Sequence, residues 1–301
     1  MPIAHNITDL IGRTPILHLH QFAPNLYGKC EFLNPSHSVK DRAAFAMIQD
    51  ALDRKQITKD TTIVECTSGN MGISLAMICA SLGLKIIITM PESMSIERRK
   101  MMTLFGAKLV LTPAAQGMKG ALDEASKLLE SIPDSFMPSQ FENLANKEAH
   151  RRTTALEIYE SFSGDLGYFV AGFGTGGTIS GVGEVLKEKI SGLQVIGVEP
   201  AASPLLSQGC AAGHKIQGIG ANFIPKILNT SVIDSIVCVE NEQAIACAQQ
   251  LARVGVMVGI SSGANVAIAQ RIAKENPSKK VLTMLNDTAE RYLSTDLFNT
   301  L

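Results

Sequence analysis

The sequence predicts an α/β protein of two lobes, each built on a largely parallel, twisted sheet flanked by helices, and three observations carry this. Short β-rich runs alternate with helical runs along most of the chain, the grammar of a parallel sheet covered by helices. Glycine and proline fall at the changes from one run to the next. The alternation occurs twice, and 301 residues are enough for two lobes of one enzyme-sized unit.

In order, an irregular start carries a Gly-Arg-Thr-Pro turn at 12–15. After Ser38, the apolar spacing of Ala43 to Leu52 predicts a helix, with Ser38 and Asp41 as a capping box. Thr62 to Cys66 reads as a strand, Gly72 to Leu82 as a helix stopped by Gly83, and Lys85 to Met90 as a strand closed by Pro91. Ser95 to Leu104 is helical and ends at Gly106; Lys108 to Thr112 is a strand and Ala121 to Glu130 a helix. The second series begins with a helix over Asn146 to Ser161, a strand over Tyr168 to Phe173, a helix near Ile179 to Lys189 and a strand over Gln194 to Val198. A less regular, glycine-bearing span from Pro200 to Asn229 suits a loop lining a cleft. Strand Ser235 to Val239, helices Glu242 to Val254 and Gly263 to Lys274, and strand Lys280 to Leu285 complete the chain. The expected site lies between the lobes, whose boundary falls near residues 141 to 150.

The charge balance is near zero, 27 basic against 28 acidic residues, and no basic run stands out, so nucleic acid and anionic membrane are not expected partners. The start, Met-Pro-Ile-Ala-His-Asn-Ile-Thr-Asp-Leu, lacks the basic and continuous apolar stretches of a signal peptide, and no apolar run is long enough to cross a bilayer. Six scattered cysteines without a CxxC pair fit free thiols in a reducing cytoplasm, and no metal site is expected.

Four stretches carry chemistry. Asn-Pro-Ser-His-Ser-Val-Lys-Asp-Arg at 34–42 puts Lys40 in the first turn of a helix. An ammonium is disfavoured at the positive end of a helix dipole, which frees the amine for Schiff-base chemistry. His37 precedes it closely, but at a position that reads as helix entry, and His150 beside Arg151 and Arg152 reads as surface or hinge. Thr67-Ser-Gly-Asn-Met-Gly72 lies between a strand and a helix and is suited to a carboxylate. Gly259-Ile-Ser-Ser-Gly-Ala-Asn265 is a second polar turn before a helix, where a serine also serves as an ordinary N-cap. Gly172-Phe-Gly-Thr-Gly-Gly-Thr178 follows a strand and opens a helix, so unobstructed amides meet an anion, most naturally a phosphate. Glycines 172, 174 and 177 also satisfy GxGxxG, and Glu199 stands at about the distance of a ribose-binding acid, so a nicotinamide-dependent oxidoreductase stays open from this turn alone.

Together these stretches resemble the cysteine synthase and cystathionine β-synthase family of fold-type II pyridoxal-phosphate enzymes, whose fold is like that of the tryptophan synthase β chain. Ile11-Gly-Arg-Thr-Pro15, Met90-Pro-Glu-Ser-Met-Ser-Ile-Glu-Arg-Arg99, Gly218-Ile-Gly-Ala221 and Glu290-Arg-Tyr-Leu-Ser294 extend the likeness over essentially the whole chain. The resemblance implies pyridoxal 5'-phosphate as cofactor and Lys40 as its Schiff-base lysine. It implies a phosphate cradle of Gly174, Thr175, Gly176, Gly177 and Thr178, Asn70 beside the ring hydroxyl, and Ser261 on the pyridine nitrogen. Thr67, Ser68, Gly69 and Gln140 would bind the amino-acid carboxylate, with Met71 beside them. Residues 42–145 would form a smaller, mobile, substrate-binding lobe, and residues 1–41 with 146–301 a larger cofactor-binding one.

The implied reaction is β-replacement on an activated serine through an α-aminoacrylate, with O-acetylserine and sulfide giving L-cysteine and acetate. Lys40 would serve as general base once the substrate amine displaces it. Met71 stands where cysteine synthases usually carry threonine, and the Ser-Gly-Asn-Met-Gly loop is similar to that of plant β-cyanoalanine synthases, which use cysteine and cyanide. Asn286-Asp-Thr-Ala289 departs from Pro-Ser-Ser-Gly, and Asp287 is similar to the Pro-Asp-Ser of cystathionine β-synthases, which use homocysteine. A catalytically idle amino-acid sensor is the alternative outside enzymes. The family implies a cytoplasmic homodimer, and some members bind the C-terminal tail of serine acetyltransferase.

Overall fold

A computed structural model of the chain describes residues 3–299. In chain order the first elements are β1 (Ile16–His18), β2 (Leu26–Cys30), α1 (Lys40–Asp53), β3 (Thr62–Cys66), α2 (Asn70–Leu82), β4 (Lys85–Pro91) and α3 (Ile96–Leu104). Next come β5 (Lys108–Thr112), α4 (Gly117–Ser131), β6 (Ser135–Phe136), α5 (Leu144–Ala149), α6 (Ala155–Phe162), β7 (Tyr168–Gly172) and α7 (Gly177–Lys189). The last are β8 (Gln194–Pro200), α8 (Leu205–Gln208), β9 (Ser235–Val239), α9 (Asn241–Arg253), α10 (Ile260–Glu275) and β10 (Val281–Leu285). They form two compact units. The first holds the residues up to Ile11 with Asn34–Asn146, and the second holds Gly12–Leu33 with the chain from Lys147 onward. The first therefore takes in residues 34–41 and the segment ending at Ile11, beyond the expected 42–145. Ser81 bonds to Asn6, and Ile11 packs against the first unit's core.

The first unit has an all-parallel sheet ordered β5-β4-β3-β6. Helix α2 is apolar around nearly its whole circumference and is buried from Met71 to Cys79, as such a helix must be. Ile63 of β3, Ile88 of β4 and Met47 of α1 close the core around it. Gly83 then adopts φ +72, the left-handed residue that ends a helix without a Cβ penalty.

The second unit has a mixed sheet ordered β1-β2-β10-β7-β8-β9, parallel except for β1 against β2. The supposedly irregular start thus contains an edge hairpin. Two short strands carry too little pattern to be read alone, and pairing with β10 stabilises them. Lys29 of β2 is 1% exposed; its ammonium bonds to the Thr14 carbonyl and, at 2.6 Å, to Glu157. Glu157 also accepts the Arg13 N–H at 3.0 Å, which anchors the Gly-Arg-Thr-Pro turn. Helix α10 is buried continuously from Ile260 to Ala269, with Val170, Val198 and Leu285 in the same core.

The helix expected over Asn146 to Ser161 is interrupted: α5 passes into a π-helical turn, His150–Thr154, before α6. Helix α2 begins two residues before expectation and α4 four, because Asn70, Gly117 and Gly120 are poor helix formers that position and packing nevertheless accommodate. Among the described residues, no helix is long and apolar enough to cross a membrane, and no cluster could hold a metal ion.

Candidate active site

In the first unit, Lys40 opens α1 and is half-buried. The expected capping box does not form. The Ser38 hydroxyl accepts the Lys40 N–H at 3.3 Å, and α1 has no side-chain cap. Asp41 turns inward instead: fully buried, its carboxylate accepts the Ser36 N–H at 2.7 Å, the Ser36 hydroxyl, and the Ser74 hydroxyl of α2 at 2.6 Å. These bonds fix the loop before Lys40 to the helix that begins at Asn70. His37 is exposed at φ +62, consistent with helix entry.

Thr67, Ser68 and Gly69 form the turn from β3 into α2, with Gly69 at the N-cap position and Asn70 as the first helical residue. Thr67 is buried and its hydroxyl accepts the Gly69 N–H at 3.4 Å. Gly72 leaves no room for a side chain, since a Cβ there would lie 2.7 Å from Met102 Cε. The turn is therefore packed tightly beneath and opens a helix N-terminus, a place suited to a carboxylate. Met71 is 1% exposed and belongs to the apolar core of this unit, so its side chain packs, where the sequence placed it among the substrate-binding residues. Gln140 is 7% exposed, in a turn that follows β6.

That turn depends on a residue the sequence reading missed. Glu65 of β3, 3% exposed, accepts the Ser139 N–H at 3.0 Å. Burial pushes its carboxyl up to about 8, against the pull of the Ser139, Cys66 and Gln140 backbone amides. A carboxylate inside the apolar run Thr-Ile-Val-Glu-Cys was the available signal, since such a group needs dedicated partners. Neighbouring Cys66 is no nucleophile at neutral pH, because burial raises its thiol to about 11.

In the second unit, the Gly174-to-Thr178 turn joins β7 to α7. A Cβ on Gly174 would lie 2.6 Å from the Gly218 carbonyl oxygen, and Gly176 adopts φ +84 against Leu228. Glycine is required at both. The Thr175 hydroxyl accepts the Gly177 N–H at 3.3 Å, and the Thr178 hydroxyl lies 3.2 Å from His150 Nε2. His150 corrects the sequence reading: it is 2% exposed, and the π-helical turn aims it at α7, with Nδ1 3.0 Å from the Thr154 hydroxyl. An inserted residue in a helix gives no local sequence signal.

Ser261 lies in the first turn of α10, 3% exposed, and accepts from Asn286 Nδ2 at 3.3 Å, which leaves its own O–H to donate. The Gly218 segment brings it together with the glycine turn, since a Cβ on Gly218 would be 3.8 Å from Ser261 Oγ. Asn265 stitches the same region, accepting the Gly172 N–H at 2.7 Å and donating to the Met284 carbonyl at 2.9 Å. Asp287 is buried and accepts from Tyr292 Oη at 2.5 Å, while its carbonyl takes the Gly259 N–H at 3.0 Å, so it holds the turn that carries Ser261. Glu199 is not a ribose ligand: its carboxylate accepts the Leu206 and Ser207 amides, each at 3.0 Å, and the Ser207 hydroxyl.

The donor set fits pyridoxal phosphate. A backbone-only turn at the N-terminus of a thirteen-residue helix, with two threonine hydroxyls, suits a phosphate monoester, and Ser261 offers a neutral hydroxyl to a ring nitrogen. The sequence profile described as "Pyridoxal-phosphate dependent enzyme" matches residues 7–287. The chain belongs to this family. It is a pyridoxal-phosphate enzyme of the cysteine synthase type, which removes the oxidoreductase alternative. It is 66% identical to cysteine synthase B of Campylobacter jejuni over 298 residues, 99% of this chain and 100% of that one. The crystal structure of the cysteine synthase of Entamoeba histolytica covers all of this chain with 92% of its own, at TM-score 0.96 and 38% identity. That of the O-acetylserine-dependent cystathionine β-synthase of Helicobacter pylori covers 99% of this chain with 100% of its own, at TM-score 0.92 and 40% identity.

Proposed function

We propose that the protein converts O-acetylserine and sulfide to L-cysteine and acetate. The observation that carries this is Lys40 at the head of α1, tied through Asp41 and Ser74 to the helix whose first turn follows Thr67, Ser68 and Gly69. Bound pyridoxal phosphate supplies an aldehyde that condenses with amines and a ring that takes up electrons from the Cα–H bond. The Gly174-to-Thr178 amides and hydroxyls hold its phosphate, Asn70 its ring hydroxyl, and Ser261 its ring nitrogen without a full charge. Thr67, Ser68, Gly69 and Gln140 bind the substrate carboxylate and so orient Cα toward Lys40. Lys40, displaced by the substrate amine, takes the α-proton as acetate leaves the β-carbon, and returns it after sulfide has added there.

The decisive experiment is a panel of O-acetylserine and other β-substituted serines against sulfide, homocysteine and cyanide, with product identification. Cysteine as the main product with sulfide supports the reading; no turnover with any pair leaves only the amino-acid sensor. Lys40→Ala abolishes turnover with the fold intact, and full activity of that variant refutes its role. Borohydride reduction fixes the cofactor on Lys40 in the parent protein.

A second reading, O-acetylserine with homocysteine to cystathionine, is supported by the Helicobacter pylori relative and by Asp287 holding the Ser261 turn. Cyanide addition is weaker, since Met71 of the Ser-Gly-Asn-Met-Gly loop, which together with the Ser-Ser-Gly-Ala-Asn turn carries the likeness to β-cyanoalanine synthases, sits in the core. The proposal includes a cytoplasmic homodimer and a docking site for the C-terminal tail of serine acetyltransferase. Sedimentation and a tail-peptide titration test these two points.

A further inference from the structure

We propose that Glu65 is a positioning residue for substrate recognition: its buried carboxyl group fixes the turn from which Gln140 binds the substrate's α-carboxylate. This rests on the role given to Gln140 above. A lone carboxylate within an apolar strand is costly to bury unless it is fully hydrogen-bonded. The partner the fold gives Glu65 is the Ser139 N–H of the turn, at 3.0 Å, and the Cys66 and Gln140 backbone amides also favour its charged form.

The turn itself needs such a partner. Ser139 adopts φ +56, a left-handed conformation that a serine holds only where its surroundings impose it. The Ser139 N–H of that turn points inward, and the acceptor it meets, a carboxyl oxygen of Glu65 at 3.0 Å, is supplied from within the protein. The outer side of the turn is held separately. The Ser139 carbonyl accepts the Glu142 and Asn143 amides at 2.9 and 3.0 Å, and the Gln140 carbonyl accepts Asn146 Nδ2 at 2.8 Å. Glu65 thus locks the inner side. It lies two residues before Thr67, so one strand end both carries Thr67 and sets the Gln140 turn, and the two halves of the carboxylate grip share one rigid support.

The test uses holoenzyme and two probes that cannot lose a β-substituent: L-alanine, which has the carboxylate, and L-alaninamide, which lacks it. Binding is read from the cofactor's absorbance. Glu65→Gln, which turns an amide N–H toward the backbone donors, weakens L-alanine by roughly tenfold while alaninamide changes by less than about twofold. It also speeds hydrogen exchange at the 139 and 140 amides. Gln140→Ala weakens L-alanine similarly, and the double variant binds it no worse than Gln140→Ala alone, because Glu65 acts through Gln140.

If Gln140→Ala leaves L-alanine binding unchanged, the assignment of Gln140 fails and takes this inference with it. If Gln140→Ala weakens binding and Glu65→Gln does not, only the role of Glu65 fails. Equal weakening of both probes by Glu65→Gln, or additive losses in the double variant, assigns Glu65 to general stability and overturns the proposal. Glu65→Asp keeps the carboxyl on a shorter arm and stands in if the glutamine variant does not fold; the same selective loss of L-alanine supports the proposal and an unselective loss overturns it.

Discussion

Replacing Asp41 by alanine strands three donors in the interior of the first unit: the Ser36 N–H at 2.7 Å, the Ser36 hydroxyl and the Ser74 hydroxyl at 2.6 Å. The hydroxyls can turn toward other acceptors, but the amide cannot. An orphaned buried donor costs roughly 1–3 kcal/mol, so the fixed amide and two partly rescued hydroxyls sum to about 3 kcal/mol. Asp41→Asn keeps one acceptor oxygen and should lose about half as much. Urea unfolding at neutral pH measures both. The loop ending at Lys40 is also released, so Asp41→Ala should retain less cofactor absorbance than Asp41→Asn at equal cofactor concentration. A loss below about 1 kcal/mol with an unchanged urea slope would refute the claim that this carboxylate organises the loop.

Gly174→Ala places a methyl group 2.6 Å from the Gly218 carbonyl oxygen, backbone against backbone, so the turn must shift; equilibrium dialysis should find cofactor affinity reduced roughly tenfold or more. Met71→Thr removes packing volume from a site 1% exposed and buries a hydroxyl, for a cost of about 2–4 kcal/mol in urea unfolding; an unchanged midpoint would mean that Met71 does not serve the core. Glu65 gives the stability a pH signature. Its folded pKa of about 8 lies above a glutamate's ordinary 4.5, so the folded state holds the proton more tightly and this residue's contribution falls as pH rises between those values, then levels off. The slope is at most about 1.4 kcal/mol per pH unit, and Glu65→Gln should flatten it in unfolding measured from pH 5 to 9.

The parallel-sheet strands were legible because short runs rich in Ile, Val and Leu stand between turn residues. Strands Thr62–Cys66, Lys108–Thr112 and Ser235–Val239 match their expected bounds, since β-branched and aliphatic residues bounded by turns suit a strand. The glycine turn was equally legible, and the steric contacts at Gly174 and Gly176 give the reason. What escaped depended on distant partners. Asp41 prefers Ser36 and Ser74 to its local cap, and no spacing rule reports the serine on another helix. His150 reads as a surface residue between charged neighbours, yet one extra residue in the helix turns it inward. The placement of β10 between β2 and β7 is likewise invisible to local pattern, because it joins segments far apart in the chain.

That last placement governs the order in which the polypeptide can mature on the ribosome. By the time Asn146 has emerged, every strand of the four-stranded sheet exists, so the first unit can close early. The six-stranded sheet cannot, because β2 and β7 meet only through β10, which is synthesised near the end. Until then β2 and β7 both present unsatisfied edges and are open to intermolecular pairing. Truncation before Val281 would therefore split the second unit's sheet in two, however much of its sequence remained.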